Sequence, residues 1–180
     1  MRSWTQRRSC RCWHASEQVL ITTIWRKQKK HGIICTNCPG VNSVSVAEYT
    51  VMLMLNLFRE CPQLNEDTKK GGWRRLMVTE LHGKNVGLLG FGAVARQTAM
   101  ILRDFSCQVC AYDPFPNEEA AQELGVELCS REEVLEKSDI LSIYVPALPE
   151  TYHFLDAKAL VHCRDGVYVV NTSRGTNADE

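Results

Sequence analysis

The sequence predicts an α/β fold built on a doubly wound parallel sheet. Three observations carry this prediction. From Val86 onward, short apolar runs alternate with stretches of helical length and pattern. The turn Gly90-Phe91-Gly92 follows the first of these runs directly and opens a helical stretch. The run Ile140–Val145 is apolar almost throughout, broken at Ser142, as a strand covered on both faces requires. The resulting β-α-β-α order implies parallel strands with helices on both sides.

Taken in chain order, Gly32–Thr36 reads as a short strand that Pro39-Gly40 ends. Ser45-Val46-Ala47-Glu48 has the pattern of a capping box and opens a helix running to about Arg59. Val51, Met52, Leu53, Met54, Leu55, Leu57 and Phe58 make that helix apolar almost all round. Such a helix must be covered on more than one side, which in a chain this small implies a subunit interface. A homodimer through Ser45–Arg59 is therefore expected. Residues 60–72 are polar, end in Gly71-Gly72 and read as a linker or loop.

Val86–Leu89 is then a strand, Ala93–Asp104 a helix and Gln108–Tyr112 a strand. Glu118–Leu124 is a helix ended by Gly125, and Val126–Cys129 a short strand. Arg131–Lys137 is a helix, Ile140–Val145 a strand, Asp156–Val161 a short helix and Val167–Val170 a strand. No internal repeat or low-complexity segment is present.

The composition suits a globular chain. Of 180 residues, 44% are hydrophobic and 23% charged, which argues against general disorder. No apolar run reaches the ~18–20 residues a membrane helix needs. The net charge is zero but uneven. Residues 1–30 carry eight Lys/Arg against one acid, a net +7; the other 150 carry 13 Lys/Arg against 20 Asp/Glu, a net −7. The whole chain thus offers no electrostatic case for a nucleic-acid partner.

Nine cysteines, an odd number with no secretory signal before them, read as reduced thiols in a cytoplasmic protein. Residues 1–30 contain Trp4, Trp13 and Trp25 and differ from the rest. They read as a divergent or disordered extension, with a short amphipathic helix or an Arg-rich mitochondrial presequence as alternatives. Val19, Leu20, Ile24 and Trp25 would form that helix.

The strand Val86–Leu89 runs into Gly90-Phe91-Gly92-Ala93-Val94-Ala95, a G-x-G-x-x-A pattern placed between a strand and a helix. The first glycine permits the tight turn, the second lets the backbone approach a pyrophosphate, and the third position needs only a small residue, here Ala95. The helix start then offers free N–H groups and a positive dipole end. Asp113 lies 23 residues beyond Gly90, at the end of the next strand. An acid there accepts hydrogen bonds from ribose hydroxyls and repels a 2′-phosphate, so NAD is favoured over NADP. The fold is accordingly Rossmann-like, with Gly90, Gly92, the helix start at Ala93 and Asp113 as cofactor-binding residues.

From His31 to its end the chain resembles the D-isomer-specific 2-hydroxyacid dehydrogenases, a family that includes phosphoglycerate dehydrogenase. The stretches that carry the resemblance are Gly32–Gly40, Ser45–Glu48, Gly72-Trp73, Gly83-Lys84, the fingerprint with Arg96, Tyr112-Asp113-Pro114, Ser138-Asp139-Ile140, Val145-Pro146 with Pro149-Glu150-Thr151, and Asn171–Gly175. The resemblance implies an NAD-binding domain inserted into a substrate domain. It places Val94 near the pyrophosphate, Asp113 on the adenosine ribose, Val145 and Pro146 along the crevice, and Thr172 near the nicotinamide. It makes Arg174 the catalytic arginine, whose guanidinium would hold a substrate carboxylate and polarise the C2 oxygen. The expected activity is oxidation of a small 2-hydroxy acid, or reduction of a 2-keto acid.

On this reading residues 31–42 are a remnant of the substrate domain, and residues 43–180 an NAD-binding domain without its last strands. The family's catalytic histidine and its glutamate fall downstream of Arg174 and are not among the 180 residues. The chain is therefore expected to be truncated at both ends and inactive as it stands, with a non-catalytic NAD-binding or dimerisation fragment as the alternative. The strand Val167–Val170 would be an open sheet edge.

None of the five histidines has an acid at a suggestive spacing in the sequence. Cys35-x-x-Cys38 and Cys107-x-x-Cys110 are separated by 68 residues, far beyond a zinc ribbon, so no metal site is expected.

Overall fold

The computed structural model describes residues 12–15 and 34–179. The chain divides into two compact units, Met1–Val41 and Asn42–Glu180. In the first, β1 (Cys12–Ala15) pairs in parallel with β2 (Ile34–Asn37). Sequence reading placed no strand before His31. The helix expected around Val19–Trp25 lies outside the described residues.

The second unit opens with α1 (Ser43–Arg59) and α2 (Cys61–Lys69). It continues as β3 (Asn85–Leu89), α3 (Ala93–Asp104), β4 (Gln108–Tyr112), α4 (Glu118–Leu124), β5 (Glu127–Leu128), α5 (Arg131–Lys137), β6 (Ile140–Ile143), α6 (Ala157–Val161) and β7 (Tyr168–Asn171). The five strands β3–β7 form one parallel sheet in the order β5-β4-β3-β6-β7. The sequence moves outward from β3 through β4 to β5, then returns to β6 and moves the other way. The order reverses between β3 and β6, which is where an open α/β sheet leaves a crevice beyond its carboxyl ends.

Alternation along the strands divides the core. Val86, Leu88, Ala111, Ile140 and Val170 pack against α1 and α3 through Val51, Met54, Phe58, Ala95, Ala99 and Leu102. Leu89, Cys110, Leu141, Ile143 and Val145 pack against α5 and α6 through Val134, Leu135 and Ala159. The doubly wound sheet is therefore as expected.

Local chemistry sets the helix ends. Asn117 caps α4 by accepting from Ala120 N–H at 2.8 Å, and Gly125, with φ +67°, ends it in the left-handed region that glycine favours. Ser130 and Glu133 form a capping box at α5: Glu133 N–H donates to Ser130 Oγ at 3.2 Å, and Ser130 N–H donates to Glu133 Oε2 at 2.8 Å. Asp156 caps α6 by accepting from Ala159 N–H at 2.8 Å.

Two expectations are corrected. The capping box at Ser45–Glu48 does not form. The helix starts at Ser43, because Ser43 and Ala47, one turn apart, both face the core. Ser45 therefore has helical neighbours on both sides and cannot act as an N-cap. Its place is taken by Asn42, which makes no side-chain cap bond. Residues 60–72 are also not simply a loop. Glu60, in the left-handed region at φ +49°, breaks the chain from α1 into α2. That helix buries no residue, so it lacks the apolar periodicity that reveals helices in sequence. Local bonds sustain it instead: Thr68 Oγ1 donates to Leu64 O at 2.9 Å, and Arg74 N–H donates to Asp67 Oδ2 at 2.9 Å.

Candidate cofactor site

The site grows from the turn between β3 and α3. Gly90 has φ +101°, and a Cβ on it would stand 3.1 Å from Tyr144 C and Val145 N. The turn thus lies directly against the chain leaving β6, at the point where strand order reverses. Two backbone bonds hold it there: Gly90 N–H donates to Tyr112 O, and Tyr144 N–H donates to Leu89 O, both at 2.8 Å.

At Gly92 a Cβ would meet nothing within 4 Å. No side chain caps α3, and the first bond across its start is Arg96 N–H to Gly92 O at 3.0 Å. The amides of Ala93, Val94 and Ala95 precede that bond, so the helix presents unpaired donors and a positive end to open space. Ala95 is fully buried against the sheet, where any larger side chain would push the helix away. Open space over uncapped amides fits a dinucleotide pyrophosphate.

Asp113 closes this side. Its Oδ2 accepts from Phe91 N–H and its Oδ1 from Phe115 N–H, both at 2.8 Å. The carboxylate therefore sits against the fingerprint turn while Asp113 keeps partial exposure. Syn and anti lone pairs remain on both oxygens for further donors.

The other side of the crevice comes from the ends of β6 and β7, which are adjacent parallel strands. Val145 is buried, while Pro146 is exposed just beyond it. Thr172 follows β7, and its hydroxyl lies 3.0 Å from that of Thr50, a fully buried residue of α1. Arg174 is exposed, with Nη1 donating to Ser173 O at 2.6 Å. Its turn is tied internally, since Asn171 Nδ2 donates to Arg174 O at 2.8 Å and Asn171 Oδ1 accepts from Ser173 N–H and Oγ. All the expected site residues therefore lie beyond the carboxyl ends of β3, β4, β6 and β7.

Several residues of this neighbourhood went unnoticed in the sequence. Tyr144 Oη donates to Thr98 Oγ1 at 2.9 Å, and Thr98 Oγ1 donates to Val94 O at 3.0 Å, so the end of β6 is linked to the first turn of α3. Burial pushes the Tyr144 phenol above its ordinary value. Thr50 and Asn177 were missed too. Thr50 had one signal, a hydroxyl in an otherwise apolar helix; Asn177 had none.

His153 departs from expectation. Its Nδ1 lies 3.6 Å from Asp179 Oδ1, and its ring stacks on Tyr152 at 3.9 Å. The pairing is invisible in sequence because it depends on residues 153–155 running beside 176–179. His153 N–H donates to Thr176 O at 2.8 Å, and Asp179 N–H to Leu155 O at 3.0 Å.

Cys107, just before β4, and Cys110 within it are packed into the fold. Cys107 donates to Leu81 O at 3.3 Å, and burial pushes the Cys110 thiol up to about 11. Among the described residues no three His, Cys, Asp or Glu side chains gather as a metal site, and no helix is long and apolar enough to cross a membrane.

Residues 51–180 match the family described as D-isomer specific 2-hydroxyacid dehydrogenase, NAD binding domain. The D-3-phosphoglycerate dehydrogenase of Archaeoglobus fulgidus is 37% identical over 153 residues, which are 84% of this chain and 29% of that protein. The chain thus spans less than a third of the length of such relatives. Among solved structures, the D-lactate dehydrogenase of Escherichia coli superposes with a TM-score of 0.80 at 31% identity, covering 86% of this chain and 49% of that one. A D-lactate dehydrogenase with NAD+ from Lactobacillus jensenii superposes with a TM-score of 0.74 at 25% identity, covering 86% and 47%.

Proposed function

Because this chain belongs to the D-isomer-specific 2-hydroxyacid dehydrogenase family, through its NAD-binding domain, we propose that it serves oxidation of the CH–OH group of a small 2-hydroxy acid. The carrying observation is the uncapped start of α3 beside Gly92, facing the crevice between β3 and β6. Ala93, Val94 and Ala95 would hold the pyrophosphate by their amides, and Asp113 the adenosine ribose. Val145, Pro146 and Thr172 would line the nicotinamide half. NAD, when bound, supplies the hydride acceptor.

Arg174 would hold the substrate carboxylate and draw charge from the C2 oxygen. A base must take the hydroxyl proton. His82 precedes β3 and His162 caps α6 ahead of β7, both toward the amino ends of the strands. His153 Nδ1 lies 3.6 Å from Asp179 Oδ1, a pairing that could orient an imidazole, but no bond of its side chain reaches Arg174. The 180 residues are accordingly read as the cofactor-binding half of the chemistry. Residues 31–42 are read as a remnant of the substrate domain, and the location as cytoplasmic. Thiols at Cys61, Cys107, Cys110, Cys129 and Cys163 that make no disulfide are in keeping with a reducing compartment.

An Ala93→Asp variant tests the reading. Ala93 is the exposed first residue of α3. A carboxylate there complements the helix dipole, by about 0.3–1 kcal/mol, so thermal stability should hold or rise. The same charge repels a pyrophosphate. NADH titration by fluorescence should saturate for the wild-type chain and fail for Ala93→Asp. Equal NADH affinity in the two proteins would place the nucleotide elsewhere.

A dimer through the Ser45–Arg59 helix is a second part of the proposal. Val44, Tyr49, Met52 and Leu57 of α1 are large and 40–54% exposed. Exposed apolar side chains of this size on a helix whose other face packs into the core suit a subunit contact. Met52→Glu should convert a dimer into a monomer in sedimentation analysis. A wild-type chain that is monomeric at micromolar concentration would refute the contact.

A further inference from the structure

Asn177 is fully buried in the turn that follows Arg174, and its side-chain NH₂ and both its backbone groups are engaged. Its Nδ2 donates to Pro146 O at 3.2 Å and to Thr151 O at 3.1 Å. Its Oδ1 lies 3.4 Å from Ser173 Oγ, its N–H donates to Arg174 O at 3.1 Å, and its carbonyl accepts from Leu155 N–H at 3.0 Å. The side-chain orientation is unambiguous, since only the NH₂ end can face two carbonyls.

We propose that Asn177 is the positioning residue that joins the Arg174 turn to the segment leaving β6, and thereby sets the nicotinamide half of the cofactor site. This rests on the NAD reading. Pro146 stands on one wall of that half, and Thr172 and Arg174 on the other. Their strands are adjacent, but beyond Ile143 and Asn171 the strand pairing between β6 and β7 stops. Further along, backbone bonds tie residues 153–155 to 176–179, but none of them runs from Pro146 to the Arg174 turn, so the stretch that carries Pro146 needs a crossing of its own. The Asn177 amide makes that crossing from the Arg174 turn, and it meets the other wall twice, at Pro146 and at Thr151.

The adenosine half is built independently. Gly90 and Asp113 are held by Tyr112, Phe91 and Phe115, none of which Asn177 contacts through these bonds. Loss of the amide should therefore loosen one half of the site and spare the other. The fold should survive as well, because the backbone bonds from His153 to Thr176 and from Asp179 to Leu155 do not involve the side chain.

The test compares NADH with ADP-ribose, which lacks the nicotinamide. Asn177→Asp keeps the shape but sets a carboxylate against two carbonyls. Asn177→Leu keeps the approximate volume and removes both donors. In each variant NADH should bind about tenfold more weakly than to wild type, while ADP-ribose changes by less than about twofold, both measured well below the variant's melting temperature, which should fall by a few degrees because buried carbonyls lose their donors. Equal weakening of both ligands, or unchanged NADH affinity in both variants, would overturn the assignment. A wild-type chain that binds both ligands equally would overturn it too, since no nicotinamide half would then be formed. A wild-type chain that binds neither would instead bring down the NAD reading, and this inference with it.

Discussion

Gly87→Ala is expected to destabilise the chain by about 1–3 kcal/mol, from one added carbon in the middle of the sheet. Gly87 lies in the middle of β3, the central strand. A Cβ there would stand 2.1 Å from Ser138 Oγ, 2.7 Å from Val134 Cγ1 and 3.0 Å from Leu141 Cδ2. None of the three has room to retreat. Ser138 is fully buried, with its hydroxyl donating to Val134 O, and Val134 and Leu141 are core residues. The added carbon must lift α5 from the sheet. A domain of this size has about 5–15 kcal/mol in all, so the loss should be plain in urea or thermal unfolding. The cost should shrink in a background carrying Ser138→Ala and Val134→Ala, which opens the space. A cost below about 1 kcal/mol would mean that α5 is not packed on β3 as tightly as described.

This glycine shows what is legible in a sequence and what is not. The elements from Val86 onward were readable because their signals are local: apolar runs of strand length, Gly125 after a helix, and a glycine turn between strand and helix. Ala93–Asp104 and Gln108–Tyr112 fall where the pattern predicts. Gly87 read merely as one member of a strand. Its reason for being glycine is a helix that arrives about 50 residues later, which no local pattern contains.

The same limit applies to α2, whose residues are all at least partly exposed and so leave no periodic trace. It applies to Ser45, whose capping pattern was complete but was overridden by burial of Ser43. At the site, the residues proposed to face the cofactor were legible because phosphate and ribose chemistry demand particular types. Those that hold them in place, Thr50, Tyr144 and Asn177, act through contacts across 26 to 122 positions. Such residues are found from the folded chain alone.

The second large effect is expected at Asp113. Asp113→Ala should weaken NADH binding by roughly 10- to 100-fold, the span of one or two hydrogen bonds to a charged acceptor. Two losses combine in this figure. One is the direct contact with the ribose hydroxyls. The other is the pair of bonds at 2.8 Å by which the carboxylate holds Phe91 N–H and Phe115 N–H around the fingerprint turn. NADPH separates them. On the proposed placement the carboxylate would face the ribose and repel a 2′-phosphate, so NADPH should bind far more weakly than NADH. Removing the carboxylate lifts that repulsion but does not restore the turn. The NADPH affinity should thus hold or rise while the NADH affinity falls, and the preference between them should narrow by at least about tenfold. Equal losses for both cofactors would show that Asp113 acts by holding the turn and not by reading the ribose. Placing the ribose elsewhere in the crevice would then leave the pyrophosphate assignment at α3 standing, because Ala93→Asp tests that end separately.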